Sequence, residues 1–360
     1  MGATLQTVAD EVGVSRSTVS NAYSRPDQLS PELRNRILAT AKRLGYAGPN
    51  PSARSLRSGR VGAIGVLLTA NLSQAFSDPF TVAYLRGLAE AAENRQTSLL
   101  LIPLPNDPEA ARRAVRDAAV DAFCVYCVPD WCDVLDVIRS RGLPVVGGED
   151  PSVVEPGECH VGIDERVAGR QLGRHVTGLG HRRVAVLGHW ATDQQVSGPV
   201  TVADPGELRN FVTRERVLGY ADALAEVGVA WSDVMLINVA GSDRSYGALA
   251  AGFALDRWDR PTVIMATTDL LALGVLDALA SRRLRPGVDV SVTGFDDIPE
   301  AATVGLTTVA QPGQERGRLS GQMLLDPPAD HEQRRTVLAT ELMVRATTGP
   351  APRPNAKEQS

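Results

Sequence analysis

The sequence predicts an α/β protein: a small helical head at the N-terminus, followed by two doubly wound α/β subdomains. Three observations lead there. The first 48 residues carry three apolar stripes at helical spacing, each opened by a capping residue. From Val61 onward, short apolar runs alternate with helical segments. That βαβ rhythm means parallel sheets with helices on both faces. Between the two textures lies GPNPSARSLRSGR, residues 48–60, a linker by composition.

In the head, Thr4 is placed to cap a first helix bearing Leu5, Val8, Ala9 and Val12. Gly13 can take the positive φ that ends it. Ser15 caps a second helix to about Ala22, with Thr18 and Val19 inside. Ser30 caps a third helix, Pro31 takes its first position, and Leu33, Ile37, Ala41 and Leu44 form one stripe ending at Gly45. Helix, glycine turn, second helix and supporting third helix is the layout of a helix-turn-helix DNA reader. The N-terminal residues of a second helix so placed meet base edges. Here those are Arg16, Ser17 and Asn21, next to the cap Ser15. A base contact and a phosphate contact are equally open for Arg16. Thr4, Thr18, Ser20 and the basic residues of the third helix are read as phosphate contacts.

Charge agrees with that division. Residues 1–60 hold nine Lys/Arg against four Asp/Glu, so the chain's net −5 splits into +5 for the head and −10 for the rest. A basic module on an acidic body suits phosphate binding. No secretory leader opens the chain, and no apolar run is long enough to span a membrane, so a cytoplasmic, nucleoid-associated location is expected. Of the four cysteines, Cys124 and Cys127 have C-x-x-C spacing. They fall on an expected strand, 122–128, where an i, i+3 pair points to opposite faces. Buried structural thiols are therefore expected, with no metal and no cofactor.

In the core, strands are expected at 61–68, 98–104, 122–128 and 144–147, with helices at 80–94, 108–118 and 132–141. A second series has strands near 183–188, 234–239, 262–266 and 289–294. Its helices fall near 165–178, 213–227, 245–258 and 269–282. Two such halves place a cleft at the carboxyl ends of the strands. The tail after Gly349, PAPRPNAKEQS, is Pro-rich and polar, and disorder is expected over 349–360.

The head run Thr4–Leu5, Val8–Ala9, Gly13–Val14–Ser15 and Thr18–Val19–Ser20 closely resembles the opening of the lactose-repressor (LacI/GalR) family. Leu44–Gly45–Tyr46 and Asn50 through Leu56 continue the likeness. In the core it is carried by Val161–Gly162–Ile163–Asp164, Gly180–His181–Arg182–Arg183, Arg216 with Gly219–Tyr220, Thr268–Asp269, Gly294–Phe295–Asp296–Asp297 and Gln311–Pro312. The resemblance implies a core like a type I periplasmic sugar-binding protein with three crossovers. Its expected divisions are a head over 1–48, a hinge over 49–60 and a core over 61–348. The N-subdomain would take about 61–160 plus 293–322, and the C-subdomain about 161–292 plus 323–348.

The resemblance also implies a ligand-responsive regulator, most often a repressor, that binds a palindromic double-stranded DNA operator as a homodimer. Leu56, beside Ala53 and Arg54, would wedge into the minor groove from a hinge helix. A small-molecule effector, a sugar or sugar derivative, would sit in the cleft. Arg216 matches the family's effector-clamping arginine and Asp296 its ligand aspartate. Asp78 and Phe80 lie where family members place polar and aromatic ligand contacts, and Glu149 where a polar cleft residue is common. Thr268 and Asp269 sit at another strand-to-helix junction, where Asp269 also reads as a helix cap. The dimer's apolar surface is expected from helices near 80–95 and 270–283. Two departures stand out: an extended loop between His189 and Arg214, and Ser242 where the family often has a stacking ring. An enzyme with a DNA-binding head is the competing reading. It finds no nucleophile elbow, phosphate loop or H-E-x-x-H to support it. A DNA-binding protein whose cleft senses nothing is the third.

Overall fold

The computed structural model describes residues 3–48, 59–68, 72–105, 107–126, 128 and 134–352. The chain divides into two compact units, a head up to Gly62 and a core from Ala63.

The head contains α1 (Leu5–Val12), α2 (Arg16–Ser24) and α3 (Pro31–Arg43). The caps are those expected. Thr4 accepts from Thr7 N, Ser15 from Thr18 N and Ser30 from Leu33 N. Gly13 ends α1 in the left-handed conformation, with φ 75°. Val8, Ala9, Val19, Ala22, Ile37 and Ala41 form a small dry core. Tyr23 and Tyr46 meet edge to face against it, 6.2 Å between centroids.

The core opens with β1 (Ala63–Leu68), α4 (Leu72–Ser77), α5 (Pro79–Glu93), β2 (Ser98–Pro103), α6 (Pro108–Asp117), β3 (Ala122–Val125), α7 (Val134–Ser140), β4 (Val145–Gly147) and β5 (Cys159–Ile163). It continues with α8 (Glu165–Gly178), β6 (Val184–His189), β7 (Gly198–Val200), α9 (Phe211–Ala225), β8 (Met235–Val239), α10 (Arg244–Leu255), β9 (Val263–Ala266), α11 (Asp269–Ser281) and β10 (Ser291–Thr293). The chain ends with α12 (Pro299–Thr303), β11 (Thr308–Ala310), α13 (Gly313–Leu325), β12 (Arg335–Leu338) and β13 (Glu341–Met343). The first sheet is parallel, in the order β12-β5-β4-β3-β1-β2. The second is β10-β9-β6-β8-β7, parallel except for its edge strand β7. Every residue of β1 is buried, as a strand covered on both faces requires.

Between the sheets the chain passes three times: after β5, after β10, and again after β12. β11 and β13 pair antiparallel along the way. Helix pairs cover the sheets in backbone contact. A Cβ on Gly87 of α5 would overlap the Gln314 carbonyl, and one on Gly317 of α13 would overlap that of Tyr84.

Several expectations need correction. β5 lies wholly in the first sheet, so that half runs past residue 160 to Ile163. Residues 335–338, expected in the second half, pair with β5 at the edge of the first. A half-exposed edge strand such as RTVL lacks the continuous apolar run that marks an interior one. The strand expected over 122–128 is only Ala122–Val125. Cys127 and Cys132 lie outside the described residues, and Cys124 and Cys159 are buried free thiols. Order extends into the expected tail. Gly349 donates to Ser291 Oγ (3.1 Å), and Ala351 N donates to the Leu179 carbonyl (2.9 Å). His181 is a structural residue of that join, with Nδ1 2.9 Å from Thr262 Oγ1 and Nε2 3.0 Å from the Gly349 carbonyl. Residues 353–360 lie outside the described residues. Among the described residues, no helix is long and apolar enough to cross a membrane.

Candidate functional site

In the head, α2 turns Val19 and Ala22 inward. That leaves Ser15, Arg16 and Ser17 exposed and Thr18, Ser20 and Asn21 half-buried. The Ser15 hydroxyl accepts from Thr18 N at 3.1 Å and lies 2.7 Å from the Ser17 hydroxyl. Thr4 is likewise engaged with Thr7 in a capping box. Both hydroxyls therefore fix helix ends first. Asn21 Nδ2 reaches Gln28 Oε1 at 3.4 Å, a long bond that leaves the amide exchangeable. Arg16 has no ion-pair partner among the described residues and projects from the first turn. Ala53, Arg54 and Leu56 lie outside the described residues.

In the core, a cavity opens between the carboxyl ends of the two sheets. It encloses about 140 Å³, room for several waters or a small molecule of that bulk. Asp78, Phe80, Glu149, Arg216, Thr268 and Asp296 all line it.

From the first sheet, Asp78 caps α5. Its carboxylate accepts from Phe80 N (3.0 Å) and Thr81 Oγ1 (2.6 Å). Phe80 touches the hydrophobic clusters of both halves, so it is core and cavity wall at once. From the second sheet, Arg216 of α9 is sealed in. Its Nε donates to Glu165 Oε2 at 2.7 Å and its Nη1 to the Thr267 carbonyl at 2.5 Å. The guanidinium lies over the Phe295 ring, 3.6 Å from the centroid, and 3.6 Å from Asp296 Oδ1. Burial works against its charge, yet Glu165 and Asp296 together raise its pKa.

Asp296 stands just after β10 with φ 119°, a strained region for a residue with a side chain. Its N–H is pinned to the Val309 carbonyl. Its Oδ1 accepts from Gln311 Nε2 at 2.6 Å. Gln311 Oε1 in turn faces Arg316 Nη1 at 3.5 Å. Arg316 donates to the carbonyls of Val161 (3.1 Å) and Gly148. A polar chain thus runs from Glu165 in the second half to β5 in the first. Burial pushes the Asp296 carboxyl well above the ordinary value. Arg216 opposes that shift, while Asp269 and Asp78 add to it.

One expected site residue is displaced. The cap of α11 is Thr268, which accepts from Leu271 N (3.3 Å). Asp269 is the first helical residue and does not line the cavity. Its buried carboxylate accepts from Thr308 Oγ1 (2.6 Å) and Ile298 N (2.9 Å), so it braces the crossover segment.

Sequence reasoning passed over Glu165, His189, Trp190, Gln311 and Arg316, all at the cavity wall. Gln311 lay inside a quoted motif. The others carry no local signal.

A helix-turn-helix head followed by two α/β halves around a polar cleft defines a DNA-binding regulator with a core of the periplasmic-binding-protein type. Residues 4–50 match the bacterial regulatory proteins of the lacI family, and residues 174–348 match a periplasmic binding protein-like domain. The chain is 41% identical over 354 residues to the HTH-type transcriptional regulator Rv3575c of Mycobacterium tuberculosis, covering 97% of each. Among solved structures, it resembles a complex of the transcriptional regulator CelR with cellobiose. That match has 26% identity and a TM-score of 0.66, over 96% of this chain and 99% of that one. The lac repressor dimer bound to operator and the anti-inducer ONPF shares the fold, at 22% identity and a TM-score of 0.75, over 97% and 99%. The chain belongs to the LacI family of bacterial transcriptional regulators. It is a DNA-binding regulator, not an enzyme.

Proposed function

We propose that this regulator is a cytoplasmic repressor that binds a palindromic operator as a homodimer and responds to a neutral, hydroxyl-rich effector, a sugar or sugar derivative, in the core cleft. The observation that carries the effector class is how the cavity's charge is used. Four carboxylates line it, those of Asp78, Glu149, Glu165 and Asp296, against the guanidiniums of Arg216 and Arg316. Both guanidiniums are committed to protein acceptors. A phosphorylated or acidic ligand would meet excess negative charge and find no uncommitted cation among the described lining residues. Hydroxyl groups can donate to the carboxylates, which charged ligands of the same sign cannot do. The cellobiose bound to CelR supports the same class.

In the DNA-binding head, Arg16, Ser17 and Asn21 are the base-reading residues. Thr4, Thr18, Ser20 and the basic residues of α3 hold phosphates, and Ser15 caps the reading helix at the same surface. Ala53, Arg54 and Leu56 serve the hinge. The dimer's apolar surface was expected from helices near 80–95 and 270–283, but α5 and α11 turn their large apolar side chains inward. The exposed apolar residues that support a dimer reading are instead Leu249 and Phe253 along α10 and Leu100 on the edge strand β2. The effector acts by biasing the two halves of the core, a coupling of about 1–3 kcal/mol to operator affinity.

A thermal-melt screen against neutral sugars, sugar phosphates and small acids tests the effector class. A ligand at 100 times its Kd adds about 2.7 kcal/mol, enough to move the melting point by several degrees. Stabilisation by neutral sugars supports the reading. Stabilisation only by phosphates or acids, or by nothing, overturns it. DNA selected from a random pool by the dimer, then titrated with and without the hit, tests the response.

A further inference from the structure

His189 and Trp190 close β6 where the chain enters the extended loop, and both line the cavity. Their backbone is tightly fixed. His189 N donates to Thr267 Oγ1 (3.2 Å), and its carbonyl accepts from Thr213 Oγ1 (2.6 Å). Trp190 has φ 47°, held by its N–H on the Val239 carbonyl (2.9 Å) and its Nε1 on the Ala240 carbonyl (3.0 Å). The loop beyond is nailed down by the buried Asn238. Its amide accepts from Thr192 N (3.1 Å) and donates to the carbonyls of Gln194 and Val196, each at 3.0 Å. The two rings stack, with centroids 4.5 Å apart and planes inclined by 25°.

One atom in this arrangement is unsatisfied. His189 Nε2 is sealed from bulk solvent and has no hydrogen-bond partner among the described residues. A buried polar atom left so is costly unless something in the cavity satisfies it. Burial, and then Arg216, push the imidazole down to about 4. It is neutral at physiological pH and can meet a hydroxyl as donor or acceptor according to tautomer.

We propose that His189 and Trp190 form a specificity-determining subsite of the cleft, in which His189 Nε2 hydrogen-bonds a ring hydroxyl and the Trp190 indole packs on the apolar C–H face of a sugar ring. The proposal rests on the neutral-sugar reading above. It adds that the ligand is cyclic. An indole anchored through its N–H is a preorganised flat wall, which an open-chain polyol cannot cover as well. Trp190 sits at the end of β6, the strand paired with β8, and its indole is anchored on Ala240, two residues before Ser242.

The test uses the full-length protein and the probes D-glucose, D-ribose, cellobiose, the open-chain sorbitol and glucose 6-phosphate. Binding is read by thermal shift and by tryptophan fluorescence. For the best cyclic probe, Trp190→Leu and His189→Leu each weaken binding about tenfold. Trp190→Phe retains most of the affinity while losing the fluorescence response. His189→Gln keeps part of the affinity, and sorbitol binds more weakly than the cyclic sugars. Unchanged affinity in both leucine variants overturns the subsite and leaves the effector class standing. So does a loss in Trp190→Phe equal to that in Trp190→Leu, which would trace the effect to the Ala240 anchor. A fall in the unliganded melting point that accounts for the whole loss also overturns it. If no cyclic sugar binds the wild type, the effector class falls and the subsite with it.

Discussion

Arg216 Nε lies 2.7 Å from Glu165 Oε2, with the two side chains only 5% and 3% exposed. This ion pair joins α9 to the first turn of α8 directly beneath the cleft. Removing one member of such a pair leaves a buried charge without its partner and costs about 3–5 kcal/mol. Glu165→Ala should therefore lower the core's melting point by several degrees and abolish any effector response. Glu165→Gln, which keeps an acceptor for Nε, should cost less. A melting point for Glu165→Ala within a degree of wild type would show that Asp296 alone neutralises Arg216.

Two buried groups set opposite dependences on pH. Burial raises Asp269 from 3.8 to about 7, with its hydrogen bonds to Thr308 and Ile298 opposing. A carboxyl held up in the folded state contributes stability that is present below its unfolded pKa and lost as pH climbs toward 7. His189 runs the other way, from 6.5 down to about 4. Its contribution is present above 6.5 and lost as pH falls to 4. Asp296 shares the sign of Asp269. Asp269→Asn should steepen the loss of stability on acidification from pH 6.5 to 4. His189→Leu should make the protein lose stability as pH rises through the same window. Urea melts at half-unit pH steps read both slopes, and superimposable profiles for wild type and variants would refute the pairing.

The head was legible because its signals are local. Thr4, Ser15 and Ser30 cap helices that begin at the next residue, so sequence spacing is spatial spacing. Arg216 and Asp296 could be located because each sits within a quoted motif run. Glu165 could not. Its partner is 51 residues away, and a glutamate opening a helix usually does no more than complement the dipole. Asp269 was misplaced for a related reason. Its carboxylate points back to Ile298 and Thr308, onto a crossover whose path no local pattern encodes. Trp190 was hidden at the start of an extended loop without periodicity, and what holds that loop is distant in sequence: Asn238, Val239 and Ala240 at the end of β8, and the pairing of β7 with β8.

In the head, Arg16 projects from the first turn of α2 with no ion-pair partner among the described residues. As a bidentate reader of guanine it would discriminate by about 1–3 kcal/mol at one base position. Arg16→Ala should then weaken binding to the selected operator and relax preference at that position, with little change on random DNA. Binding measured on a set of single-base operator variants over a salt series decides the matter. Uniform weakening across all sequences, with the salt slope reduced by about one, would identify a phosphate contact instead.

Two glycines of α8 separate close packing from mere helix propensity. A Cβ on Gly169 would run into the Arg216 backbone, and one on Gly219 of α9 would overlap the Arg166 carbonyl and the Arg170 amide. Gly178, at the end of α8, has nothing within 4 Å of the same position. Gly169→Ala must push α8 from α9 and should cost about 1–3 kcal/mol. Because the displaced segment carries Arg216, the same change should weaken effector binding. Gly178→Ala meets no obstacle and restricts only the unfolded chain, so it should stabilise by about 0.4–1 kcal/mol. Denaturant melts of both variants, with effector titration of the first, check the contrast. A Gly169→Ala protein as stable as wild type would mean that the two helices can part without disturbing the arginine between them.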